Sequence, residues 1–423
     1  MKKVKIIILG DGMADMPYIE KDGKKIPQRT PLLEAKIPVI DALAPCSEIG
    51  LVKTVPNGMK PGSDIANLSV MGYDPARYYT GRSPLEAVSI GIDLKAADLA
   101  IRCNLVTLDG EGAFEDRVMY DYSAGEISSA EGGELVKALG EYFGKNGFNL
   151  LRDFGGSEGF ESFKFYGGVS YRNCLVIENG VQGTDYTPPH DISGKRIGAY
   201  LPKGVYGESF VKMLAEAHAF LSAHPINAKR RAEGKNPANA VWLWGEGRKP
   251  ALDDFFELNG RRGAVVSAVD LIKGIGLAAN MRVIEVEGAT GTVHTNFKGK
   301  TAAVLKAVRE GIEFVYLHIE AADECGHHGD REGKILSIER IDETIGRLKS
   351  ELERDNIPYT FLVLPDHPTP LSTMTHNSDP VPYLMYDSEN NLSNGVGRYD
   401  EISAEKGRYT ASGPELFRSF LEV

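Results

Sequence analysis

Three apolar runs share one design and constrain the fold of this chain more than any other feature. They read VKIIILGDG at 4–12, FVYLHIEAADE at 314–324 and YTFLVLPDH at 359–367. Each begins as a nearly unbroken apolar stretch and ends in acidic or imidazole side chains. Continuous apolar runs of this length are typical of strands that are buried on both faces of a parallel sheet. The pattern therefore predicts an α/β fold in which the three strands end at a shared edge.

A helix is predicted between the second and third runs. Its apolar stripe recurs at intervals of three and four residues and consists of Ile338, Ile341, Ile345, Leu348 and Leu352. A strand, a helix and a strand in this order predict a βαβ unit with parallel strands. Further helices are expected near 132–144 and 210–224.

The middle of the chain has a different character. Between about 78 and 200, short strand-like pieces alternate with glycine-rich turns. This composition predicts a smaller α+β domain at 78–200, inserted into a mostly parallel α/β core that is formed by 1–77 and 201–423. A chain of 423 residues, 42% of them hydrophobic, is long enough for two such domains.

Charge and hydropathy exclude some classes of protein. The formal net charge of -11 argues against a nucleic-acid-binding protein. The early apolar run IIIL is far shorter than the roughly 18 residues of a membrane span, so no membrane partner is expected. The four cysteines are scattered, which is typical of a reduced, cytoplasmic protein. The oligomeric state is left open.

The strand ends supply a set of candidate metal ligands. In chain order they are Asp11, Asp323, His327, Asp366, His367 and His376. Ligands gather outside the carboxyl ends of the strands in open α/β sheets, so one shared site is expected. Carboxylates with imidazoles suit Zn²⁺ or Mn²⁺, whereas an all-oxygen set suits Mg²⁺ better. Each residue alone also fits a cap, a turn or a loop, but six ligands at three strand ends favour two ions, the arrangement that suits phosphoryl transfer.

The stretch PGSDIANLSVMGYDP at 61–75 supplies a candidate nucleophile. Pro-Gly predicts a turn, and Ser63 then stands at the start of a helix. Taken alone, Ser63 fits an N-cap serine. Beside two metal ions, its hydroxyl becomes a nucleophile, and the helix dipole favours the negative charge of an attached phosphate.

These segments together resemble the alkaline-phosphatase superfamily and, within it, the cofactor-independent phosphoglycerate mutases of archaeal type. The resemblance spans nearly the whole chain. It rests on GDGMAD (10–15), PGSDIANLSVMGYDP, YTGRSPLEA (79–87), AIRCN (100–104), HPINAKRRAEGKNPAN (224–239), VEGATG (286–291), ADECGHHGD (322–330) and LPDHPTP (364–370).

The resemblance implies an alkaline-phosphatase-like core with an inserted domain that closes over the substrate. One metal ion would be held by Asp323, His327 and His376. The other would be held by Asp11, Ser63, Asp366 and His367. Ser63 would carry the phosphate as phosphoserine while 3- and 2-phosphoglycerate are interconverted in glycolysis. The implied cofactors are two divalent ions (Mn²⁺, Zn²⁺ or Mg²⁺), with no 2,3-bisphosphoglycerate.

The resemblance determines the substrate less closely than it determines the fold, the metal ligands and the nucleophile. The candidate substrate-binding residues are Arg102, Asn104, His190, Arg231 and Glu126, of which Arg231 fits a surface charge equally well. Archaeal mutases typically carry DRRAGR where this chain reads DYSAGE at 121–126. Arginine forks hold carboxylates and phosphates, whereas Glu126 suits an ammonium.

Three alternatives to the mutase therefore remain. The first is a homoserine-kinase-like transfer of phosphate to an amino-acid hydroxyl, in threonine biosynthesis. The second is a phosphatase, if water reaches the phosphoserine. The third is a non-catalytic protein whose metals hold the fold together, although structural sites are normally closed by protein ligands.

Overall fold

The computed structural model describes residues 2–21, 23–145 and 162–423 and divides into two compact units, Met1–Tyr79 with Ala251–Val423, and Thr80–Pro250. The strands are β1 Val4–Gly10, β2 Tyr18–Lys21, β3 Lys24–Pro27, β4 Glu48–Val52, β5 Leu99–Asp109, β6 Val118–Asp121, β7 Phe163–Tyr166, β8 Arg172–Ile177, β9 Thr184–Asp185, β10 Lys203–Gly204, β11 Ala240–Arg248, β12 Gly263–Val266, β13 Arg282–Ile284, β14 Phe314–Ile319, β15 Tyr359–Leu364, β16 Val381–Asp387 and β17 Arg408–Thr410. The α-helices are α1 Pro31–Glu34, α2 Pro38–Leu43, α3 Ser63–Val70, α4 Pro75–Tyr78, α5 Ser83–Ser89, α6 Ser129–Lys145, α7 Gly207–Ala223, α8 Pro225–Ala232, α9 Phe255–Asn259, α10 Asp270–Ala278, α11 Phe297–Arg309, α12 Ala321–His327, α13 Arg331–Arg354, α14 Glu401–Ala404 and α15 Gly413–Glu422. Among the helices of these residues, none is both long and apolar enough to cross a membrane.

The first unit is built on one large sheet. Within the described residues its strand order is β13-β12-β14-β1-β15-β16-β4-β17. The pairs from β13 to β15 are parallel, β16 is antiparallel to β15 and β4, and β17 is parallel to β4. The predicted α/β class with a mostly parallel sheet is therefore confirmed.

The helix that joins β14 to β15 is also confirmed. It is α13, and the five apolar residues of the predicted stripe are all buried. Their spacing places them on one face of the helix, where they join the same apolar core as Ile6 and Ile8 of β1. The βαβ unit is thus held by burial of one continuous stripe.

The register of the central strands aligns their carboxyl ends. Every residue of β1 is buried, and the strand is paired on both sides. Leu9 lies opposite His318 of β14 and Leu364 of β15. The residues that follow these three strands therefore leave the sheet at one edge, as the sequence predicted.

The second unit contains a separate antiparallel sheet. Its order is β11-β5-β8-β7, with β6 paired to β5. The structure corrects the domain boundary that was predicted at 200, because this unit ends at Pro250. The physical reason is that β11 pairs with β5 and that Phe210 and Leu214 of α7 are buried in the same core as Leu105. The boundary predicted at 78 lies at Thr80.

A buried glutamate joins two loops of the first unit. Glu401 lies at the start of α14 and is buried. Its Oε1 accepts a hydrogen bond from the Asp15 amide (3.0 Å), and its Oε2 accepts one from the Thr30 hydroxyl (2.7 Å). Thr30 is also the N-cap of α1. Glu401 thereby couples the segment after β1 to the start of α1.

Glu401→Gln should remove one source of pH-dependent stability. Burial raises the pKa of Glu401 from 4.5 to about 7. Between these values the folded chain holds a proton that the unfolded chain has lost, so the free energy of unfolding falls as the pH rises through this window. In the variant this fall, about 1–3 kcal/mol, should be absent. Urea unfolding at about pH 5 and about pH 8 measures it.

The control for this experiment is Glu405→Gln. Glu405 is an exposed carboxylate that follows the same helix, so this variant should keep the wild-type fall in stability. An equal fall in wild type and in Glu401→Gln would contradict the assignment of the proton to Glu401.

Candidate metal centre

Two of the three central strands deliver a first cluster of buried ligands. Asp11 follows β1, and Asp366 and His367 follow β15. All three are fully or almost fully buried, and one ligand atom of each lies within 4.8 Å of the others. His367 Nε2 lies 3.3 Å from Asp366 Oδ2 and 3.7 Å from Asp11 Oδ1. The structure thus brings together three residues that are distant in sequence.

A second cluster adjoins the first and shares His367 with it. Asp323, His367 and His376 also place ligand atoms within 4.8 Å of one another. His327, one helical turn after Asp323 on α12, has its Nε2 3.3 Å from Asp323 Oδ2 and 2.9 Å from His376 Nε2. Its Nδ1 donates to the carbonyl of Met374 (3.0 Å), which orients the ring. All six predicted ligands are therefore close together.

Ser63 lies against these ligands. It is the first residue of α3, and the structure shows no side-chain cap at Gly62 before it. The Ser63 hydroxyl instead lies 3.2 Å from His367 Nε2. The N-cap explanation for this serine is therefore not supported. Its position at the start of a helix also brings the positive end of the helix dipole to the cluster.

The electrostatics of the site favour the binding of positive charge. Burial, and then the charges of Asp366, Asp323 and Glu320, raise the pKa of Asp11 well above its usual range. Asp11 Oδ1 is buried without a hydrogen-bond partner among the described residues. Burial also acts against ionisation of Asp323, but hydrogen bonds from two histidines lower its pKa well below the usual range. An unpartnered carboxylate oxygen beside converging imidazole nitrogens fits a site for divalent cations.

His318 orients Asp11 and was missed by the sequence reasoning. It is fully buried in β14, and its Nε2 lies 2.9 Å from Asp11 Oδ2. Its Nδ1 lies 3.2 Å from the Ser267 hydroxyl. Burial lowers the pKa of His318 to about 3, so the neutral ring donates Nε2–H to Asp11. An imidazole inside an otherwise apolar strand was the signal in the sequence.

Asn67 and Gly12 fix the position of Asp366. Asn67, one turn after Ser63 on α3, donates to Asp366 Oδ2 and to the Ser63 carbonyl, both at 2.8 Å. The Gly12 amide donates to Asp366 Oδ1 (3.1 Å). Gly12 has φ +61°, and a Cβ there would lie 2.5 Å from Asp323 Oδ1, so only glycine fits. The segments that follow β1, β14 and β15 are therefore in close contact with one another and with the start of α3.

Lys334 joins the segments that follow β1 and β15. Its side chain is fully buried on α13. The Nζ donates to the carbonyls of Ala14 (3.1 Å) and Thr369 (2.7 Å) and pairs with Asp15 Oδ2 at 3.3 Å. The Thr369 hydroxyl in turn donates to Asp323. Lys334 therefore holds both segments that carry candidate ligands. The sequence did not reveal this role, because Lys334 lies within a predicted helix and gives no sign there of its acceptors.

Three candidate substrate-binding residues meet in the second unit, around Trp244. Asn104 Oδ1 accepts from Arg102 Nε and from Trp244 Nε1, both at 3.1 Å. The Arg102 guanidinium stacks over the Trp244 ring at 4.9 Å, and the His190 ring meets Trp244 edge-on at 5.4 Å. Arg102 is buried and paired with Glu86, and burial lowers its pKa to about 10. Trp244 and Glu86 were not identified from the sequence.

The other two candidates lie in different surroundings. Glu126 ends the DYSAGE turn with φ +49°. Asp121 holds this turn by accepting from the Ser123 amide (2.8 Å) and the Gly125 amide (2.6 Å). Arg230, not Arg231, binds the turn, through the Ala124 carbonyl at 2.7 Å. Arg231 is exposed and lines a cavity that contains none of the other candidates.

Comparison with known proteins assigns the chain to a family. A family model described as 2,3-bisphosphoglycerate-independent phosphoglycerate mutase matches residues 44–227. A probable mutase of this kind from Geobacter sulfurreducens is 46% identical over 420 residues, with 99% of each chain covered. The chain belongs to this family. A member from Methanosarcina mazei is 45% identical, with 95% of each chain covered.

Solved structures extend the relation to the fold. The cofactor-independent phosphoglycerate mutase of Thermoplasma acidophilum matches with a TM-score of 0.59 and 26% identity, and 99% of each chain is covered. A Pyrococcus horikoshii protein matches with a TM-score of 0.75 and 28% identity, and the match covers 100% of this chain and 98% of that one. The mutase family therefore shares the fold of this chain over its length.

In this member of the mutase family, Lys334→Met should weaken divalent metal binding by about 10- to 100-fold, the usual effect of removing a group that orients ligands. The loss leaves two buried carbonyls and Asp15 without their cation. Calorimetric titration of Mn²⁺ into the metal-free protein measures the affinity, and a thermal melt checks folding. Lys349→Met is the control, because Lys349 is a partly exposed lysine on the same helix, paired with Glu353. Unchanged affinity in folded Lys334→Met would contradict this role.

Proposed function

We propose that this protein is a phosphotransferase that interconverts 3-phosphoglycerate and 2-phosphoglycerate without 2,3-bisphosphoglycerate. The observation that carries the proposal is the position of the Ser63 hydroxyl, 3.2 Å from His367 Nε2 beside two clusters of candidate metal ligands. Membership of the mutase family supports the choice of reaction. A hydroxyl at the start of a helix, next to carboxylates and imidazoles, suits phosphate transfer through a covalent serine ester.

Ser63 acts as the nucleophile in both directions of the reaction. Its Oγ attacks phosphorus of 3-phosphoglycerate and loses its proton, while the bond from phosphorus to O3 breaks and O3 takes up a proton. The phosphoserine then gives its phosphoryl group to the O2 hydroxyl of the same glycerate, and Ser63 Oγ is protonated again. Protons and phosphate balance over the cycle. The positive end of the α3 helix dipole favours the negative charge of the ester.

Two divalent ions fit the residues around Ser63. Asp323, His327 and His376 would hold one, and Asp11, Ser63, Asp366 and His367 the other. When bound, the ions supply positive charge that offsets the carboxylates and the charge of the transferred phosphoryl group. The chain itself orients the ligands: His318 aims Asp11, Asn67 holds Asp366, and Met374 sets the ring of His327. Mn²⁺ and Zn²⁺ suit this mixed set of oxygen and nitrogen ligands, and Mg²⁺ suits its carboxylates.

The DYSAGE turn favours a second candidate reaction. It carries no arginine, and its backbone is fixed by Asp121 and Arg230. A turn that ends in Glu126 suits an acceptor with an ammonium group, such as homoserine, better than a second carboxylate-bearing acid. The same phosphoserine chemistry would then move phosphate from a nucleotide to the amino-acid hydroxyl. Transfer to water would make the protein a phosphatase.

Assays of the metal-loaded protein with 3-phosphoglycerate, and separately with homoserine and ATP, test the function. We expect conversion to 2-phosphoglycerate, loss of activity on chelation and recovery on addition of Mn²⁺ or Zn²⁺. Conversion of homoserine alone would refute the mutase reaction, and release of inorganic phosphate alone would indicate a phosphatase. Activity that is indifferent to chelators would refute the metal-dependent mechanism.

Ser63→Ala should lower kcat by about 10⁴-fold or more, because it removes the only group that forms the covalent ester. Metal analysis should still find both ions. Ser69→Ala is the matched control, because Ser69 lies on the same helix and its buried hydroxyl has no hydrogen-bond partner among the described residues. That variant should retain wild-type kcat. Appreciable turnover by Ser63→Ala would refute the nucleophile.

A further inference from the structure

A polar cavity of about 510 Å³ lies in the Thr80–Pro250 unit. We call it the Arg117 cavity. The residues that matter for its chemistry are Thr107, Arg117, His218, Arg231, Asn236 and Asn239. They come from β5, from the turn before β6, from the helices α7 and α8 and from the segment before β11. None of them belongs to the candidate metal centre or to the group around Trp244.

Two guanidinium groups line the Arg117 cavity without carboxylate partners. Arg117 donates to the carbonyls of Gly110 and Gly112, and Arg231 donates to the Ser222 carbonyl at 2.9 Å. Neither forms an ion pair with a carboxylate among the residues that the structure describes. Arg230, the neighbour of Arg231, is by contrast buried and paired with Glu131 at 2.7 Å. Both cavity arginines therefore retain charge and donors for a ligand.

His218 adds a hydrogen-bond acceptor to this positive surface. Its Nδ1 lies 2.9 Å from the Asn239 carbonyl. A carbonyl oxygen only accepts, so Nδ1 carries the hydrogen and Nε2 is the nitrogen left for a ligand. Burial, and then the charge of Arg117, lower the pKa of His218 against the opposing hydrogen bond to Asn239. The ring is thus neutral near pH 7, so Nε2 carries a lone pair with which it can accept a hydrogen bond from a ligand.

These groups match one ligand chemistry. Two guanidinium groups bind the charged oxygens of a phosphate group, and a neutral imidazole accepts from the hydroxyl that hydrogen phosphate still carries. The one carboxylate in the lining, Asp109, is engaged by the Gly110 amide at 2.7 Å. The lining therefore carries two positive charges and one negative charge, which attracts an anion even though the formal net charge of the whole chain is -11.

We propose that the Arg117 cavity is a second phosphate site, which binds inorganic phosphate or a small phosphate monoester apart from the metal centre. The proposal does not depend on the mutase reaction. It assigns to Arg231 a role with Arg117 and His218, in place of the role in substrate binding that the resemblance implied.

Calorimetric titration of the metal-loaded full-length protein with inorganic phosphate, and separately with glycerol 3-phosphate, tests this site. Because the Ser63 centre also offers a phosphate site, we expect two binding steps in wild type. Arg117→Met and Arg231→Met should each weaken one step by about tenfold or more and leave the other unchanged. Lys229→Met is the matched control: it removes one positive charge from α8 at a residue outside the lining, and both steps should persist.

The outcomes separate the sources of the phosphate group. If both ligands show the binding step that the arginine variants weaken, the cavity recognises the phosphate group alone. If only one ligand shows this step, the site is assigned to that ligand. The proposal is overturned if neither ligand shows a binding step that Arg117→Met and Arg231→Met weaken. A raised KM for 3-phosphoglycerate in Arg117→Met would make the cavity part of the substrate site and would also overturn it. The binding measurements stand even if mutase activity is not found.

Discussion

The burial of several carboxylates in one small volume is the constraint on which the rest of the structure depends. Asp11, Asp323 and Asp366 are all nearly inaccessible to solvent, and Asp11 Oδ1 has no hydrogen-bond partner among the described residues. Like charges in a medium of low dielectric constant repel strongly, and each charge has also lost its hydration. Without compensation such a group binds a proton instead, as the raised pKa of Asp11 indicates. Divalent cations would also remove this conflict, which fits the metal site that we propose at this edge of the sheet.

The scaffold holds these ligands through buried polar contacts from separate elements. His318 lies in β14, Asn67 on α3 and Lys334 on α13, and each bonds to a ligand or to the segment that carries one. Removal of one partner from a buried pair leaves the other uncompensated, which costs several kcal/mol. The absence of a side chain at Gly12 is equally necessary, because Asp323 occupies the space of its Cβ. Contacts within the protein therefore hold the candidate ligands in place.

Local patterns in the sequence were sufficient to predict the central strands and the long helix, but not which strands pair or which side chains are in contact. The apolar runs and the stripe on α13 predicted the central strands and their shared edge, where the six candidate ligands lie close together. Burial imposes a regular spacing of apolar residues that can be recognised in a short stretch of sequence. The boundary at 200 failed because β11 belongs to the sheet of β5, and pairing across that separation leaves no local trace. Lys334 reads as an ordinary helical lysine until its acceptors are known. Arg230 and Arg231 are adjacent residues of the same type, yet Arg230 is buried and Arg231 is exposed. The sequence alone does not distinguish them.

The candidate metal centre alone would not choose the acceptor, since groups that act on phosphorus would serve a mutase, a kinase or a phosphatase alike. Selection must come from charges that face the rest of the substrate. In the second unit, Arg82 and Arg102 both pair with the carboxylate of Glu86. An anionic acceptor such as phosphoglycerate would need cationic side chains of this kind. A zwitterionic acceptor would need a nearby anion as well, and Glu126 on the DYSAGE turn is the candidate for that anion.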